Sequence, residues 1–509
     1  MSRPALQGKV RFDKGITGLR DSAFHQHFDV FSDPSRLIPY RSTEAEANST
    51  SAANLGSFDL RNFQLGKDGK MYALGNDGSA HPQVFVKADP TTGLWAPDTT
   101  AAGNAAIIYG AFIEWAGAFW GFQGTNQVWK YVLSTDTITN TVTGALGSTI
   151  VTVAQWVVGA DDNLYGFYNN KVIRVSNAGV VTDDVLANLP SDMRITSACR
   201  WGTYIIITMA YGTSATASPT GVSKAFVWDM VTSTTVNDVI DLGEGAALVC
   251  GNIEGRIVFV SNKYLETPSG LTSLALGQGS MVVRMWSGSQ AQIFKEIVAN
   301  QVVTLGRFIR DVVVRDNKIY WVASVPFGSS TSTESTYHLG IWAFGRKDKD
   351  SDFTLSLDYV EEAIDTANYK INSFGAAGSY WFINHGAAGL VHKTDDSANY
   401  TYTSVYETEV FWDGKETNNV IGVSVTTDPL PSAGQVVLKY KKDAETSFTT
   451  IYTHNDDDSL RHSAVNIEGT GVNLPQYKRI RLRVESTGGA VITGIFLFRE
   501  HTPDDKFNL

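Results

Sequence analysis

Carboxylates beside recurring turns are the first candidates for chemistry in this chain: Glu114, Asp161, Asp162, Glu254 and Asp316. Two carboxylates that converge on one point would supply the acid and the base of a glycosidase. Carboxylates at turns more often accept hydrogen bonds from nearby backbone amides. The sequence also has no Gly-x-Ser-x-Gly nucleophile motif, and its lone Gly277-Gln278-Gly279 lacks the strand-turn-helix context of a nucleotide site. We therefore expect turn-stabilising carboxylates and no enzyme activity.

An alternating acidic run resembles the start of a calcium loop. Asp348, Asp350 and Asp352 have the spacing of the first ligands of an EF-hand. Phe353 occupies the place of the required glycine, and Tyr359 occupies the place of the closing glutamate. The sequence therefore favours a solvated turn over a cation site.

His25 and His27 are the one closely spaced pair among nine histidines. On an extended segment this spacing places both rings on the same side. Two ligands do not complete a zinc site, and neither a cysteine nor a third histidine lies nearby. We expect both histidines to be polar residues of an N-terminal arm, and we expect no metal and no cofactor.

Basic residues alternate with apolar ones along a predicted C-terminal strand, so the basic side chains share one face of the sheet. Two lysines of another strand could extend that face. We call this set the basic stripe: Arg479, Arg481, Arg483, Lys439 and Lys441. It is either a solvated face partly paired with acids, or an interface with an acidic partner subunit or with nearby DNA. Interleaved aromatic residues are absent, so sequence-specific nucleic-acid recognition is not expected.

Cys199 and Cys250 are the only two cysteines. Two cysteines exclude a disulfide framework and a cysteine-based zinc site. They occupy similar places in successive repeats, shortly before the marked turn, so we expect them to lie near each other. The sequence leaves open whether they form a disulfide or remain two buried thiols.

A repeat of turns and strands must position these residues. About seven times between residues 59 and 400, a Gly- or Asp-marked turn precedes a strand with a bulky apolar or aromatic residue, and a second alternating strand follows. The marked turns are Asp68-Gly69, Gly117-Ala118, Asp161-Asp162, Trp201-Gly202, Glu254-Gly255, Asp316-Asn317 and Gly378-Ser379. Such turns need positive φ, which Gly, Asn and Asp supply. Repeats of roughly 40–50 residues with short strands are typical of a β-propeller; an elongated β-array is the alternative.

The predicted organisation is all-β, with three consecutive parts. Residues 1–58 form an extended arm and a possible ring-closing strand, although residues 43–54 are expected to be a loop. Residues 59–400 form a β-propeller of about seven blades. Residues 401–509 form an antiparallel β-sandwich, in which Gly488-Gly489 is expected to turn a hairpin before the last strand.

Composition narrows the class of protein further. The chain has 509 residues, 43% of them hydrophobic, and a net charge of −11 with a pI near 5.3, so a DNA-binding surface over the whole chain is not expected. The N-terminus has no apolar signal segment. The apolar stretch 105–122 contains Glu114 and three glycines, which indicates two buried strands, 106–113 and 118–122, rather than a membrane span.

The order of an N-terminal polar arm, degenerate propeller repeats and a C-terminal sandwich with the strand Tyr477-Lys478-Arg479-Ile480-Arg481-Leu482-Arg483-Val484 resembles the virion structural proteins of tailed bacteriophages. The resemblance is greatest to the tail nozzle or hub proteins of short-tailed phages, also called packaged-DNA stabilisation proteins. It implies an oligomeric ring, usually a hexamer, that is assembled in the host cytoplasm, extends the DNA channel of the tail, and contacts adaptor, fibre or tip proteins. It implies no cofactor.

Two other functions stay open. One is a receptor- or glycan-binding propeller of a phage tail or capsid, in which exposed loop aromatics such as Trp95 would stack on sugars. The other is a glycan-cleaving enzyme, which needs a convergent carboxylate pair in the propeller channel.

Overall fold

The computed structural model describes residues 6–9, 12, 24–33, 35–46, 60–76, 82–97, 111–123, 126–139, 146–150, 153–211, 221–266, 278–299, 312–327, 336–360, 371–385, 391–394, 399–411, 418–443, 445, 447–455, 462–466 and 479–501. All regular elements within these ranges are β-strands, and none is a helix. The predicted all-β class is confirmed.

The chain divides into two compact units that each gather distant segments. The propeller unit contains Thr43–Ile341 and Ala363–Thr394. The terminal unit contains Met1–Ser42, Trp342–Glu362 and Asp395–Leu509. Five short strands come from the N-terminal segment, the first four in the terminal unit and the fifth in the propeller unit: β1 (Leu6–Lys9), β2 (Phe24–Gln26), β3 (Phe28–Asp29), β4 (Ile38–Pro39) and β5 (Thr43–Ala45).

Five consecutive four-stranded antiparallel sheets build most of the propeller unit. The first contains β6 (Arg61–Leu65), β7 (Met71–Asn76), β8 (Pro82–Lys87) and β9 (Trp95–Pro97). The second contains β10 (Ile113–Trp115), β11 (Ala118–Gln123), β12 (Gln127–Val132) and β13 (Thr137–Thr139). The third contains β14 (Val153–Val158), β15 (Leu164–Tyr168), β16 (Lys171–Val175) and β17 (Val181–Thr182). The fourth contains β18 (Met193–Trp201), β19 (Tyr204–Tyr211), β20 (Val222–Trp228) and β21 (Asp238–Glu244). The fifth contains β22 (Ala246–Ile253), β23 (Arg256–Glu266), β24 (Gln278–Trp286) and β25 (Gln292–Ala299).

A sixth four-stranded sheet combines the two ends of the propeller unit. The chain first forms the hairpin β26 (Val313–Arg315) and β27 (Lys318–Phe327), then β28 (Thr336–Gly345) and β29 (Thr354–Val360). It continues with β30 (Ile371–Ala377), β31 (Tyr380–His385) and β32 (Val391–Thr394). β5 pairs with β32 and is the outermost strand of this sheet. These six sheets are the blades of a β-propeller.

Two expectations about this unit need correction. The predicted count of about seven blades exceeds the six separate blades because the sixth repeat along the chain is divided. Its hairpin β26–β27 and residues 336–341 of β28 belong to the propeller unit, whereas the last four residues of β28 and all of β29 belong to the terminal unit. The predicted loop from residue 43 begins with strand β5, because its backbone completes the β32 ladder. The predicted strand 118–122 is confirmed by β11, whereas residues 106–110 of its predicted partner lie outside the described residues.

The turn between the first two strands of each repeat has the predicted conformation. Positive φ occurs at every marked turn, at Gly69, Gly117, Asp162, Gly202, Gly255, Asp316, Asn317 and Gly378. In two blades an aspartate of the turn also binds a tyrosine of the following strand. The Tyr72 hydroxyl donates to Asp68 at 2.8 Å, and the Tyr165 hydroxyl donates to Asp161 at 2.7 Å. The prediction that Gly, Asn and Asp supply these turns is confirmed.

Aromatic side chains pack between successive blades, as the repeats predict. Their ring centroids lie 4.5–5.4 Å apart at four successive blade-to-blade contacts, through Tyr72–Phe119, Phe122–Trp156, Tyr165–Trp228 and Trp201–Trp286. Each contact buries large apolar area and supplies edge or offset ring geometry, which stabilises the contact between neighbouring sheets.

The terminal unit contains the C-terminal strands β33 (Ser404–Glu407), β34 (Asn418–Thr427), β35 (Gln435–Lys442), β36 (Thr449–His454), β37 (His462–Asn466), β38 (Ile480–Thr487) and β39 (Ile492–His501). One run of strands has the order β28-β29-β2-β33-β38-β35-β36, and a separate four-stranded sheet has the order β1-β39-β34-β37. Gly488 and Gly489 have positive φ, as a tight turn requires. They do not form the predicted hairpin, because β38 and β39 belong to different sheets.

Candidate functional site

A cavity of about 490 Å³ lies within the propeller unit. It is lined by the first strands of seven repeats and by the segment before β10: among others by Gln64 and Phe63 of β6, Ile113 of β10, Gln155 of β14, Cys199 of β18, Cys250 of β22, Val313 of β26 and Phe374 of β30. First strands of propeller blades surround the central channel, so this cavity is part of that channel. Its volume is that of a small-molecule site.

Arg200 is the one ionisable side chain besides the two thiols among the described residues that line the cavity. Arg200 lies near the end of β18, and its guanidinium Nε donates a hydrogen bond to the carbonyl of Gly202 at 3.0 Å. The carbonyl of Arg200 accepts a hydrogen bond from the Asn252 amide at 3.0 Å. No carboxylate is among the described residues that line this cavity, so the acid–base pair that the alternative of a glycan-cleaving enzyme needs has no counterpart there.

A hydrogen-bond relay connects three blades beside the cavity. The backbone N–H of Cys250 donates to Ser197 Oγ at 3.1 Å. The Ser197 hydroxyl in turn donates to Gln155 Oε1 at 2.6 Å, and the same oxygen accepts the Ala198 N–H at 3.1 Å. Ser197 is fully buried, so the relay holds β14, β18 and β22 in a fixed arrangement.

The two cysteines meet at this relay. The Sγ atoms of Cys199 and Cys250 are 2.9 Å apart, and both are free thiols. Cys199 is half-buried, whereas Cys250 is 1% exposed. Burial raises the pKa of the Cys250 thiol, and contact with Cys199 raises it further. The expectation that the two cysteines lie near each other is confirmed.

Two of the turn carboxylates accept hydrogen bonds, Glu114 from the neighbouring blade and Asp161 from its own turn. Glu114 accepts the Lys67 N–H at 2.6 Å, and Asp161 accepts the Asn163 side-chain amide at 2.6 Å. Burial raises the pKa of Asp161, but the hydrogen bonds from Tyr165 and Asn163 outweigh it and lower that pKa overall. The other three, Asp162, Glu254 and Asp316, have positive φ at their turns.

The acidic run that starts at Asp348 and the pair His25 and His27, which are candidate metal ligands in the sequence, lie in different surroundings. Asp348 accepts hydrogen bonds from Ser351 Oγ at 2.7 Å and from the Asp350 N–H at 3.1 Å, which makes a local turn. His25 and His27 are 0% and 1% exposed, so the expectation of polar arm residues is wrong: β2 is an interior strand. Within the described ranges, no three His, Cys, Asp or Glu side chains are grouped to hold a metal ion.

The basic stripe is largely paired with two glutamates inside the terminal unit. Arg481, 4% exposed, lies 2.8 Å from Glu407. Arg483 and Lys439 each lie 2.8 Å from Glu485. Lys441 lies over the Phe448 ring at 4.7 Å, and Arg479 is exposed at the start of β38. The structure thus brings four of the five residues together, and places Glu407 and Glu485 among them.

Sequence reasoning missed a buried ion pair beside β5. Lys87 Nζ is hydrogen-bonded to Glu46 Oε2, and the two side chains are 3% and 5% exposed. Trp95 Nε1 donates to the same oxygen at 2.9 Å. Trp95 is completely buried, so the expectation that it stacks on sugars is wrong. No local pattern links Glu46 to Lys87, because only the closed blade arrangement brings them together.

The described part of the chain contains no helix of the length and hydropathy that a membrane crossing requires.

No model of a known protein family and no curated protein matches this sequence. Solved structures do match. Virginiamycin B lyase from Staphylococcus aureus is 7% identical with a TM-score of 0.41, over 69% of this chain and 98% of that chain. The computationally designed Ika8 protein is 9% identical with a TM-score of 0.41, over 69% and 99%. The N-terminal domain of Nup159 is 10% identical with a TM-score of 0.37, over 75% and 97%. These similarities concern the fold alone.

Proposed function

We propose that this protein is a structural component of a bacteriophage tail, a propeller subunit that forms an oligomeric ring around the DNA channel and contacts neighbouring tail proteins. The observation that carries the proposal is an exposed apolar surface on two consecutive blades. It lies on and beside the outermost strands β21 and β25, where a second protein would have access to it.

Both outermost strands expose apolar side chains, mainly on β25, whereas on β21 the exposed Val239 lies among the exposed acids Asp238, Asp241 and Glu244. Val239 of β21 is 46% exposed, and Ile293 and Val298 of β25 are 58% and 48% exposed. Val231, in the connection before β21, is 85% exposed. Outermost strands present unpaired backbone groups, and soluble proteins usually protect them with charges or prolines. Exposed apolar residues at such an edge favour a contact with another protein.

A second copy of this chain is the partner that a ring requires, because a head-to-tail contact between identical subunits builds a ring when its rotation closes. The net charge of −11 also suits a channel through which DNA passes without adhering. Within the basic stripe, Arg479 is exposed, so its side chain is accessible to an acidic neighbour.

The C-terminal strands fit the sandwich that this proposal includes. Val436, Leu438 and Tyr440 alternate with more exposed residues along β35, which buries one face of the sheet. Leu482 and Val484 are buried on the adjacent strand β38. We propose that this buried face packs against the sheet β1-β39-β34-β37 in the manner of a β-sandwich.

Native mass spectrometry and light scattering of the full chain test the ring. We expect a closed oligomer, and we expect Ile293→Lys with Val298→Lys to shift it toward monomer by at least about tenfold in dissociation constant, since two desolvated lysines oppose the contact. Thr137→Lys, on the exposed outermost strand β13, is the matched control and should leave the oligomer intact. A wild-type chain that stays monomeric at high concentration would contradict the proposal.

The alternative, a receptor- or glycan-binding propeller of a phage tail or capsid, retains one supporting feature after the correction of Trp95. Tyr211, at the end of β19, is 42% exposed and offers a ring to a sugar. Glycan-array binding that is lost in Tyr211→Ala and kept in the Ile293→Lys and Val298→Lys variant would favour this alternative over the ring.

A further inference from the structure

The sulfur atoms of Cys199 and Cys250 in the channel lie closer together than two unrelated buried thiols would. The two Sγ atoms, 2.9 Å apart, are closer than van der Waals contact, and a disulfide requires about 2.05 Å. Closing the bond therefore needs a movement below about 1 Å, which a change of side-chain torsion can supply.

The backbones that carry the two cysteines are held together on both sides of the pair. Before it, Thr196 Oγ1 donates to the carbonyl of Ala247. After it, the Asn252 amide donates to the carbonyl of Arg200 at 3.0 Å, and Trp201 Nε1 donates to the carbonyl of Gly255 at 2.7 Å. β18 and β22 thus present the two thiols to each other in a fixed register, although they belong to different blades.

Access to the two thiols is unequal. Both line the channel cavity, but Cys199 is half-buried and Cys250 is 1% exposed. A small molecule in the cavity therefore reaches Cys199 first. The thiolate is the reactive form of cysteine, and the apolar burial of Cys250 disfavours it there.

We propose that Cys199 and Cys250 are a redox-reactive dithiol that a small peroxide in the channel converts to a disulfide between two blades. Cys199 is the residue attacked by the oxidant, and Cys250 is the resolving residue. The oxidised form joins the fourth and fifth blades covalently, and the reduced form leaves them joined by hydrogen bonds and packing alone.

The chemistry balances in two steps. The Cys199 thiolate attacks one oxygen of hydrogen peroxide, so that an S–O bond forms, the O–O bond breaks, and the departing hydroxide takes up the thiol proton as water. Cys250 sulfur then attacks the Cys199 sulfenic acid: an S–S bond forms, the S–O bond breaks, and the second hydroxide leaves as water with the Cys250 proton. The two cysteines lose two electrons, and the peroxide gains them.

The test uses the reduced full-length chain, freed of reductant without air and treated with hydrogen peroxide. We expect both thiols to disappear, the intact mass to fall by two hydrogen atoms, and a peptide pair linked through Cys199 and Cys250 to appear without reduction. Dithiothreitol should restore both thiols. The melting temperature of the oxidised chain should rise by roughly 5 °C, because the bridge closes a loop of about fifty residues.

Two matched variants separate the roles. Cys250→Ser should accumulate the Cys199 sulfenic acid, trapped with dimedone, and proceed to the sulfinic acid. Cys199→Ser should slow the reaction of the remaining thiol with peroxide at least about tenfold in the folded chain. Unchanged thiols in the wild type, a sulfinic acid at Cys199 beside an alkylatable Cys250, or disulfides between chains would each overturn the proposal. The wild-type measurement decides the matter even where a variant does not fold.

Discussion

Two three-residue strands of the N-terminal segment, β2 and β5, are inserted into sheets made by distant parts of the chain, and they bury polar groups in different ways. β2 is an interior strand with β33 on one side and β29 on the other. β5 is an outermost strand with a single ladder, to β32. β2 contains the buried His25 and is followed by the buried His27, whereas β5 is followed by the buried Glu46.

The number of ladders explains the difference. β2 has hydrogen-bonded neighbours on both edges, and the His27 N–H adds a bond to the Leu357 carbonyl at 3.0 Å. β5 has backbone partners along one edge only, over three residue pairs. Side-chain contacts also hold β5 in place. Glu46 binds Lys87 and Trp95 of the first blade, and Glu44 lies 3.2 Å from Lys393 of β32. A short outermost strand is therefore fixed by charge, and a short interior strand by its backbone.

Replacing Glu46 should have the largest effect on stability. Glu46→Ala leaves the Lys87 ammonium buried and without its counter-ion, and breaking a buried pair from one side costs about 3–5 kcal/mol. Urea unfolding of the full chain measures the loss. Glu44→Ala removes a glutamate that is 44% exposed from the same strand; its partner Lys393 is 3% exposed but keeps its hydrogen bond to the Thr91 carbonyl and its contact with the Tyr380 ring, so the loss should be smaller. Equal losses in the two variants would refute the role of Glu46.

A double variant that replaces both Glu46 and Lys87 should not lower stability as Glu46→Ala does. Burial raises the pKa of Glu46 and lowers that of Lys87, so each group loses hydration that their attraction does not fully restore. Removing both charges at similar volume, as Glu46→Leu with Lys87→Met, should keep stability within about 1 kcal/mol of the wild type or increase it. Such a result would show that the pair fixes where β5 docks rather than how tightly.

Acid should weaken the β2 region. Burial lowers the pKa of His25 and of His27 to about 3, although the backbone of Tyr40 partly opposes this for His27. The unfolded chain takes up protons near pH 6.5 and the folded chain does not, so the stability is complete above pH 6.5 and is lost as the pH falls toward 3. At pH 5 each histidine should cost about 2 kcal/mol relative to pH 7.

A single substitution measures how much of this pH dependence comes from the His25 ring. Among the described residues, neither ring nitrogen of His25 has a hydrogen-bond partner, so His25→Leu removes a titrating group without breaking a bond. The difference in unfolding free energy between pH 7 and pH 5 should shrink by about 2 kcal/mol in this variant. If the variant keeps the pH dependence of the wild type, the burial of His25 does not produce that dependence.

The sequence was informative wherever a local rule decides the structure. Positive φ at Gly69 or Asp162 follows from the residue type, and the aromatic residue after each turn follows from the need to fill the space between blades. The placement of β5 does not follow, because a strand of three residues is too short to show a period and its partner, β32, lies about 350 residues away. Cys199 and Cys250 were predictable as neighbours because the repeat itself relates them.

Trp95 shows why site residues were harder to predict than strands. From the sequence, a tryptophan after the loop Asp89 to Gly93 could equally be an exposed ring that binds ligands or a buried ring that packs in the core. The choice depends on Glu46, which only the closed propeller brings within 2.9 Å of the indole nitrogen. Polar contacts between distant segments leave no spacing signal, whereas strands and turns do.

The finest test of the contrast between β2 and β5 comes from this tryptophan. Trp95→Phe keeps most of the ring but removes its hydrogen bond to the charged Glu46, which should cost about 2 kcal/mol. Trp129→Phe is the matched control, because Trp129 is also completely buried and donates to a neutral acceptor, the Phe122 carbonyl, at 3.1 Å. It should cost about 1 kcal/mol less. In the Glu46→Leu and Lys87→Met background, the excess cost of Trp95→Phe should vanish. If that excess persists, packing of the indole ring holds β5 in place, and the charge does not.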